Sequence, residues 1–583
     1  MKADVFYSLT IFSLVRMVLS NAQHPLSTSE VGSVKDPYQF PTSEHYIFPS
    51  AINSVAVIGA GPSGLQHAAT LLKYGFRVRL FERDVVPGGN WRYTDETPLD
   101  VDYPDKPLPM AAYTPDIPSV LPFSKTFTDG DEGVSLSDRY REHWLPRPVW
   151  NTMKSITASV ITSLPNIKYE EGSPWAISQQ QLQRNVRQYA SAHGLSPIDS
   201  EYPNTTSYGT RVERLRKIHP TNSIEDSKWQ LTLRKFTPIA NDSGGLSKII
   251  ANWWTEEFDA VVVATGAQDS AHVPEIKGLH EIARNTKQVY HSRNYRHPHN
   301  ASGKSVLIVG SSFSSSGIAR DIINHAKLVT VSARQHSGPL NPVKAWPLSL
   351  IPHNASIVPE IAEFKSLDEI HLINGTVLTG IDEVILATGF RRSNPFLSDY
   401  HNATLSRQPH DFDVAPILKE GIGLYSVAFS GHYIDDPTLA FATVRAWTLG
   451  ALQGLGFAKV WKGTARLPTR QALWDEYYSQ GGQPIQHDSA LWGTPLTEVL
   501  NRRFVTWLNN ESYLHGGKLP NSYPIKDREI FLNYMAANGF PVPGTQLKES
   551  FEHTDNTPAQ EYIHSIEEYN STAWDQVVWN INW

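Results

Sequence analysis

One pattern of apolar and small residues occurs twice along the chain. Val55 to Ile58 is a short unbroken apolar run, as expected of a strand buried on both faces of a parallel sheet. Gly59, Gly61 and Gly64 follow it. Leu65 to Tyr74 then reads as a helix that stops at Gly75, and Val78 to Phe81 is a second apolar strand ending at Glu82. The pattern returns at Val306 to Val309. There it is followed by Gly310-Ser311-Ser312-Phe313-Ser314-Ser315, a helical stretch from Ile318 to Ala326 and a strand from Leu328 to Val331. After each unit a further apolar strand runs into Ala-Thr-Gly. The first is FDAVVVATGAQ, with Thr265 and Gly266; the second is IDEVILATGFRRSNPF, with Thr388, Gly389 and Phe390.

Strand, glycine turn, helix and strand in register predict an α/β fold with two nested Rossmann-like dinucleotide-binding domains. In the first unit Gly59 permits the tight turn, Gly61 lets a pyrophosphate approach the backbone, and Gly64 lets the helix close on the strand. The helix N-terminus offers its free N–H groups to the phosphates. Glu82, 18 residues beyond Gly64, is placed for the ribose hydroxyls and would repel a 2′-phosphate, which favours FAD or NAD over NADP. The second unit keeps Gly310 but has Ser312 and Ser315 in the other two glycine positions. Serine is small and its hydroxyl can donate to a phosphate, at some cost in close approach. Arg334 stands where the first unit has its acid, and a guanidinium there suits a 2′-phosphate. The pair therefore reads as an FAD site followed by an NADPH site. A second unit that has lost its ligand is the other reading of the missing glycines.

The bulk numbers narrow the classes. The 583 residues carry 51 Lys and Arg against 58 Asp and Glu, a net charge of −7, which argues against a nucleic-acid partner. There is no cysteine, so no disulfide, thiolate nucleophile or zinc–cysteine site. Lys2, the apolar run Val5 to Leu19, and Ser20 and Ala22 behind it predict a signal peptide over 1–22 and entry into the secretory pathway, either the endoplasmic reticulum lumen or secretion. Eight N-x-S/T sequons agree with that: Asn204, Asn241, Asn300, Asn354, Asn374, Asn402, Asn510 and Asn570. No later segment is long and apolar enough to span a bilayer. His291, His297 and His299 have no carboxylate at ligand spacing and read as a surface linker, not a metal site.

After the first unit comes PGGNWRY. Gly88, Gly89 and Trp91 resemble the GGxW segment of the flavin-containing monooxygenases, which implies that this loop lies along FAD. VYHSRNYR supplies His291, Ser292 and Tyr295 of that family's identifying stretch. Its F-x-G half is absent, falling on Asn285 and Lys287, and Tyr295 in place of Trp points to the heteroatom-oxidising branch. The stretch Asp436 to Pro468 resembles the family's closing segment, with Gln453 near its recurrent glutamine. The family's Asn near the flavin falls on Ile156, with Asn151 nearby as the weak catalytic candidate. The resemblance covers roughly Ser54 to Pro468. It implies a first part of the FAD domain over 50–300 with an insertion at about 95–144, an NADPH domain over 301–380, and a returning FAD part over 381–468. An aromatic-rich extension over 469–583 has no counterpart, and it leaves a homodimer open. By resemblance NADPH reduces the flavin, which activates O2 as a hydroperoxide and passes one oxygen atom to a nucleophilic nitrogen or sulfur, or to carbon, of a small molecule. A substrate-reduced flavin oxidase that releases peroxide, and a non-catalytic flavin-bound protein, are the rival classes. Leader and sequons together suggest a eukaryotic endomembrane protein of fungal type, with a role in secondary metabolism.

Overall fold

The computed structural model describes residues 44–515 apart from 100, 160–161, 171, 199–203, 221–225, 243, 269, 335–341, 403–414, 420, 444–446, 480 and 487–494. The expected leader over 1–22, Asn570 and the extension beyond 515 lie outside the described residues.

The fold is built on two five-stranded parallel sheets of the same plan. In the first, the order is Leu439–Phe441, Ala260–Val263, Ser54–Ile58, Arg77–Phe81 and Thr206–Ser207. In the second it is Val289–His291, Glu383–Leu386, Ser305–Val309, Leu328–Ser332 and Ser356–Val358. Each fingerprint strand is central, flanked by the strand that runs into Ala-Thr-Gly and by the second strand of its own unit. Both fingerprint strands are buried at every position, which explains their unbroken apolar runs.

The chain leaves the first sheet after Val263, builds the second, and returns at Leu439, so the second unit is nested in the first. Its limits are wider than the expected 301–380. Val289 pairs with Val384 and Val306 with Glu383, so strands on both sides of that range belong to the second sheet. The second fingerprint helix runs Phe313–Ile322, starting earlier than the expected Ile318 and ending before Ala326. Once the turn closes at Ser312, the serines fill the first turns of the helix. They satisfy its geometry without showing helical periodicity.

The insertion rests on a four-stranded antiparallel sheet that the sequence reading does not predict, Phe123–Phe127, Leu246–Phe258, Lys228–Ala240 and Thr210–Ile218 in spatial order. A charge network fastens it. Arg211 pairs with Glu142 at 2.7 Å and with Glu213 at 2.9 Å, and Arg234 pairs with Glu213 at 2.9 Å and with Asp116 at 3.0 Å. Glu142 and Asp116 come from the insertion, and Arg211, Glu213 and Arg234 from the sheet. Alternating signs compensate the burial of each charge. On the other side, the helix Pro62–Lys73 packs against Trp447–Trp461, with Gly450 seated on Gln66 and Gly454 on His67 and Thr70. Phe504, Val505 and Leu508 of the extension join this core, so its described part is packing material. Among the described residues no helix is long and apolar enough to cross a membrane.

Four of the buried histidines, His67, His143, His291 and His432, are held neutral. Desolvation lowers His67 to about 4 and His291 and His432 to about 3, and it holds His143, stacked on Phe236, well below its ordinary value. Each binds no proton when folded but binds one when unfolded below an ordinary value of about 6.5. Their stabilisation is therefore complete above that pH and is lost as pH falls towards 4, at about 1.4 kcal/mol per pH unit for each group. Asp84, pushed up to about 6 by burial, opposes them over the same range. We expect the free energy of unfolding in urea to fall by roughly 4 kcal/mol between pH 7.5 and 5.5. Equal stability at the two pH values would contradict it.

Candidate functional site

The two fingerprint turns share one backbone design. Gly59 N–H donates to Phe81 O at 2.8 Å, and Gly310 N–H to Ser332 O at 2.9 Å. Both glycines have positive φ, +106° and +115°. A Cβ on Gly59 would lie 2.7 Å from the carbonyl of Ala264, and one on Gly310 would lie 2.4 Å from that of Ala387. These alanines open the two Ala-Thr-Gly segments. Each returning strand thus delivers a carbonyl against the first glycine of its fingerprint, and only glycine fits between them.

The units differ at the third position. A Cβ on Gly64 would sit 1.9 Å from Gly59 O, so the first helix has closed fully on its turn. Ser315 is accommodated in the second helix, which therefore stands further from its turn. The Ser315 hydroxyl is fully buried, with no hydrogen-bond partner among the described residues. Donation to a phosphate, the role expected of it, is blocked by burial inside the helix. Ser312 is exposed and forms the helix N-cap without a side-chain capping bond, leaving the N-terminal N–H groups to other acceptors.

The Gly-Gly-x-Trp loop lies directly on the first turn. Gly88 N–H donates to Ala60 O at 3.1 Å, and a Cβ on Gly89, at φ +55°, would be 2.8 Å from the Gly61 Cα. Two glycines facing each other let these two backbones approach. Trp91 stands behind them, edge-on to Trp447 at 6.2 Å. Glu82 is buried at the end of its strand. Its Oε2 accepts from Ala60 N–H at 2.7 Å and its Oε1 from Asp84 N–H at 2.9 Å, so the acid also fixes the turn it serves. Oε2 keeps a lone pair for a hydroxyl. Arg147, a residue carried by no motif, reaches Glu82 Oε1 at 3.3 Å and compensates its buried charge.

These groups open on a cavity of about 670 Å³. One wall carries Gly59, Gly61, Glu82, Gly89, Trp91 and Arg147, and the opposite wall carries Phe313, Gly317, Arg320 and Asp321 of the second fingerprint helix. Trp150, Trp346, Phe390, Phe396 and Trp447 supply much of the remaining apolar surface. A Cβ on Gly317 would touch the Trp150 ring at 3.2 Å, so this glycine, two positions after Ser315, is the close-packing position of the second helix.

The two Ala-Thr-Gly segments are stitched together at the cavity. Ser270–Ala271 pairs antiparallel with Phe390–Arg391, Thr388 Oγ1 donates to His272 O at 2.5 Å, and Thr265 Oγ1 donates to Asn394 Oδ1 at 3.0 Å. Asn394 lines the cavity in a left-handed conformation, φ +44°. It escaped sequence reading because that conformation has no local signature.

His291 corrects the surface-linker expectation, for it is fully buried. Its Nδ1 accepts from Arg293 N–H at 3.1 Å, which leaves the proton on Nε2 to donate to Gly389 O at 3.0 Å. The family motif thus clamps the second Ala-Thr-Gly turn. Tyr295 donates to Asp321 Oδ2 at 2.6 Å while Thr152 holds Oδ1 at 2.6 Å, orienting a carboxylate on the cavity wall.

Several predicted site residues stand behind the wall or away from it. Gln453 donates to Thr443 Oγ1 at 2.7 Å and so braces a cavity loop without facing the cavity. Asn151 does not line the cavity, and its Oδ1 accepts from Gln180. Met153 to Ile156 do line it. Gly310, Ser312 and Arg334 lie outside the cavity wall. Arg334 is 76% exposed, with Glu360 at 3.7 Å.

Two parallel sheets with a glycine turn behind each central strand, and a cavity lined by the first turn and the second fingerprint helix, define an α/β protein with two dinucleotide-binding units. A family model described as flavin-binding monooxygenase-like matches residues 252–347, and one described as an NAD(P)-binding Rossmann-like domain matches 57–114. Flavin-containing monooxygenase iboF of Amanita muscaria is 33% identical over 500 residues, 82% of this chain and 91% of the relative. Senecionine N-oxygenase of Tyria jacobaeae is 24% identical over 437 residues, covering 73% of this chain and 75% of the relative. The solved S-allyl-L-cysteine S-oxygenase of Allium sativum has the same fold, with TM-score 0.56 at 18% identity, covering 89% of this chain and 99% of that one. The chain belongs to the flavin-containing monooxygenase family and is a flavin-dependent oxidoreductase.

The first turn gives a direct test. Gly64→Ala places a methyl group 1.9 Å from a backbone carbonyl, a clash worth about 3 kcal/mol. Gly75→Ala meets nothing within 4 Å and bears only its positive φ, about 1 kcal/mol. We expect Gly64→Ala to lose most of its flavin per chain and Gly75→Ala to keep it. Full flavin in Gly64→Ala would refute the close approach.

Proposed function

We propose that the chain binds FAD at the first fingerprint and NADPH at the second, and oxygenates a nucleophilic nitrogen or sulfur of a small organic molecule. The observation that carries this reading is the single cavity walled by both units. When bound, the flavin supplies the redox chemistry with O2, using electrons from the nicotinamide. The residues fit such groups: Gly59 and Gly89 stand where a Cβ would meet backbone, Gly61 leaves the turn without a side chain, and both helix N-termini are uncapped by side chains. The protein's share of the work is binding, orientation and exclusion of water. Glu82 accepts from ribose hydroxyls while Arg147 balances its charge. Arg334, with Glu360 beside it, meets the 2′-phosphate. Trp150, Phe313, Trp346 and Trp447 give the cavity apolar walls that displace bulk water. Asp321, held by Tyr295 and Thr152, is a fixed acceptor on the wall for a donor group of cofactor or substrate. The names of two relatives, an N-oxygenase and an S-oxygenase, support a soft heteroatom as the site of oxygenation.

The test is anaerobic reduction of the purified flavoprotein followed at the visible flavin band. We expect rapid bleaching by NADPH and slow bleaching by NADH. Arg334→Gln should raise the NADPH concentration for half-maximal bleaching by about 10- to 100-fold, the loss of charge-assisted hydrogen bonds, and leave NADH unchanged. Bleaching by an amine or thioether without either nucleotide would favour a substrate-reduced oxidase.

A further inference from the structure

We propose that the protein is N-glycosylated at Asn204, Asn354 and Asn374, and that the sugars at Asn354 and Asn374 shield the open edges of two of its sheets. The seven sequon asparagines within the described residues, Asn204, Asn241, Asn300, Asn354, Asn374, Asn402 and Asn510, are all exposed. Eleven other asparagines have a described burial, and only four of them, Asn53, Asn166, Asn285 and Asn324, are exposed. Sequons arising by chance would follow the second pattern. A glycan requires the first.

Position adds a second, independent observation. The first parallel sheet ends in the strand Thr206–Ser207, and Thr206 is the hydroxyl residue of the Asn204 sequon. The second ends in Ser356–Val358, and Ser356 is the hydroxyl residue of the Asn354 sequon. A three-stranded antiparallel sheet, Ile361–Ser366, Glu369–Leu372 and Val377–Leu378, ends in a strand that begins directly after Thr376 of the Asn374 sequon. Each sheet thus carries a sequon at one of its terminal strands. An uncovered edge offers unpaired N–H and C=O groups to another chain, and bulk beside it blocks that pairing. The need is visible in the second sheet, where Ile357 of the last strand is 56% exposed, and in the third, where Val377 is 41% exposed.

Asn374 Oδ1 accepts from Thr376 N–H at 3.1 Å, so the carboxamide and the hydroxyl residue face each other across an exposed turn. In the transfer, Asn Nδ2 forms a bond to C1 of an oligosaccharide carried on a polyprenyl diphosphate. The C1–O bond breaks, the diphosphate leaves with the electron pair, and the amide proton passes to solvent. None of the seven sequon asparagines within the described residues lines the cavity, so their sugars leave the site open. The apolar run Val5 to Leu19 is the proposed entry signal to the compartment where this transfer occurs.

The test uses the full chain with its own N-terminus, secreted from yeast. Release of N-glycans by peptide N-glycosidase in ¹⁸O-water, followed by peptide mass spectrometry, should find ¹⁸O-aspartate at 204, 354 and 374. Unmodified asparagine at all three would overturn the assignment. The shield is tested separately with the Asn354→Gln, Asn374→Gln double variant. Secreted, it should aggregate several-fold more than the secreted parent at equal concentration and equal flavin content. Made in bacteria, variant and parent should aggregate equally. Equal aggregation of the two secreted forms would overturn the shielding role. Neither readout uses activity, so failure here is distinct from failure of the oxygenation reading.

Discussion

A backbone carbonyl pressed against a glycine, once in each unit, is the contact on which the rest of the site depends. Ala264 O faces Gly59 and Ala387 O faces Gly310, with no room for a methyl group in either place. The contact ties three strands together, because Gly59 also donates to the end of its partner strand and Ala264 N–H donates to Ile58 O at 2.9 Å. Turn, helix N-terminus and returning strand are thereby fixed relative to one another without any side chain. That leaves the turn open on its outer face, where a phosphate group needs backbone N–H donors and positive helix dipole.

From this contact follows the shared cavity. Both Ala-Thr-Gly segments lie beside a fingerprint turn, and they are joined to each other by the Ser270–Ala271 and Phe390–Arg391 ribbon and by the Thr265–Asn394 and Thr388–His272 hydrogen bonds. The segments that pack against the two fingerprint turns are thus joined to each other. His291, neutral and clamped on Gly389, belongs to this joint, which accounts for its place in the family motif. The second unit is the looser one. Ser315 keeps its helix off the turn, and Gly317 recovers close packing one face away, against Trp150.

What was legible in the chain was what backbone geometry dictates locally. The two central strands, their first glycines, Glu82 and the Ala-Thr-Gly strands all stand where the spacing put them. The rest depends on approach between distant segments. Val289–His291 is three residues long and is defined as a strand only by its pairing with Val384 to Leu386, so the second unit's limits were drawn too narrowly. Arg147 and Trp150 reach the site from the end of an insertion that packs through a charge network spanning Asp116 to Arg234, a partnership with no local pattern. Asn151 had the right chemistry, but Gln180 takes its carboxamide oxygen. Ser315 had the right position, and burial silences its hydroxyl.

The central claim of the proposal is that a nicotinamide nucleotide bound at the second unit reaches the cavity in which the flavin is held. It is tested most directly by titrating the oxidised flavoprotein with NADP+ and recording the flavin difference spectrum, with binding measured in parallel by equilibrium dialysis. The account predicts a perturbation that saturates with one NADP+ per chain. Full occupancy by NADP+ with an unchanged flavin spectrum would contradict it, because the bound nucleotide would then not reach the flavin's cavity.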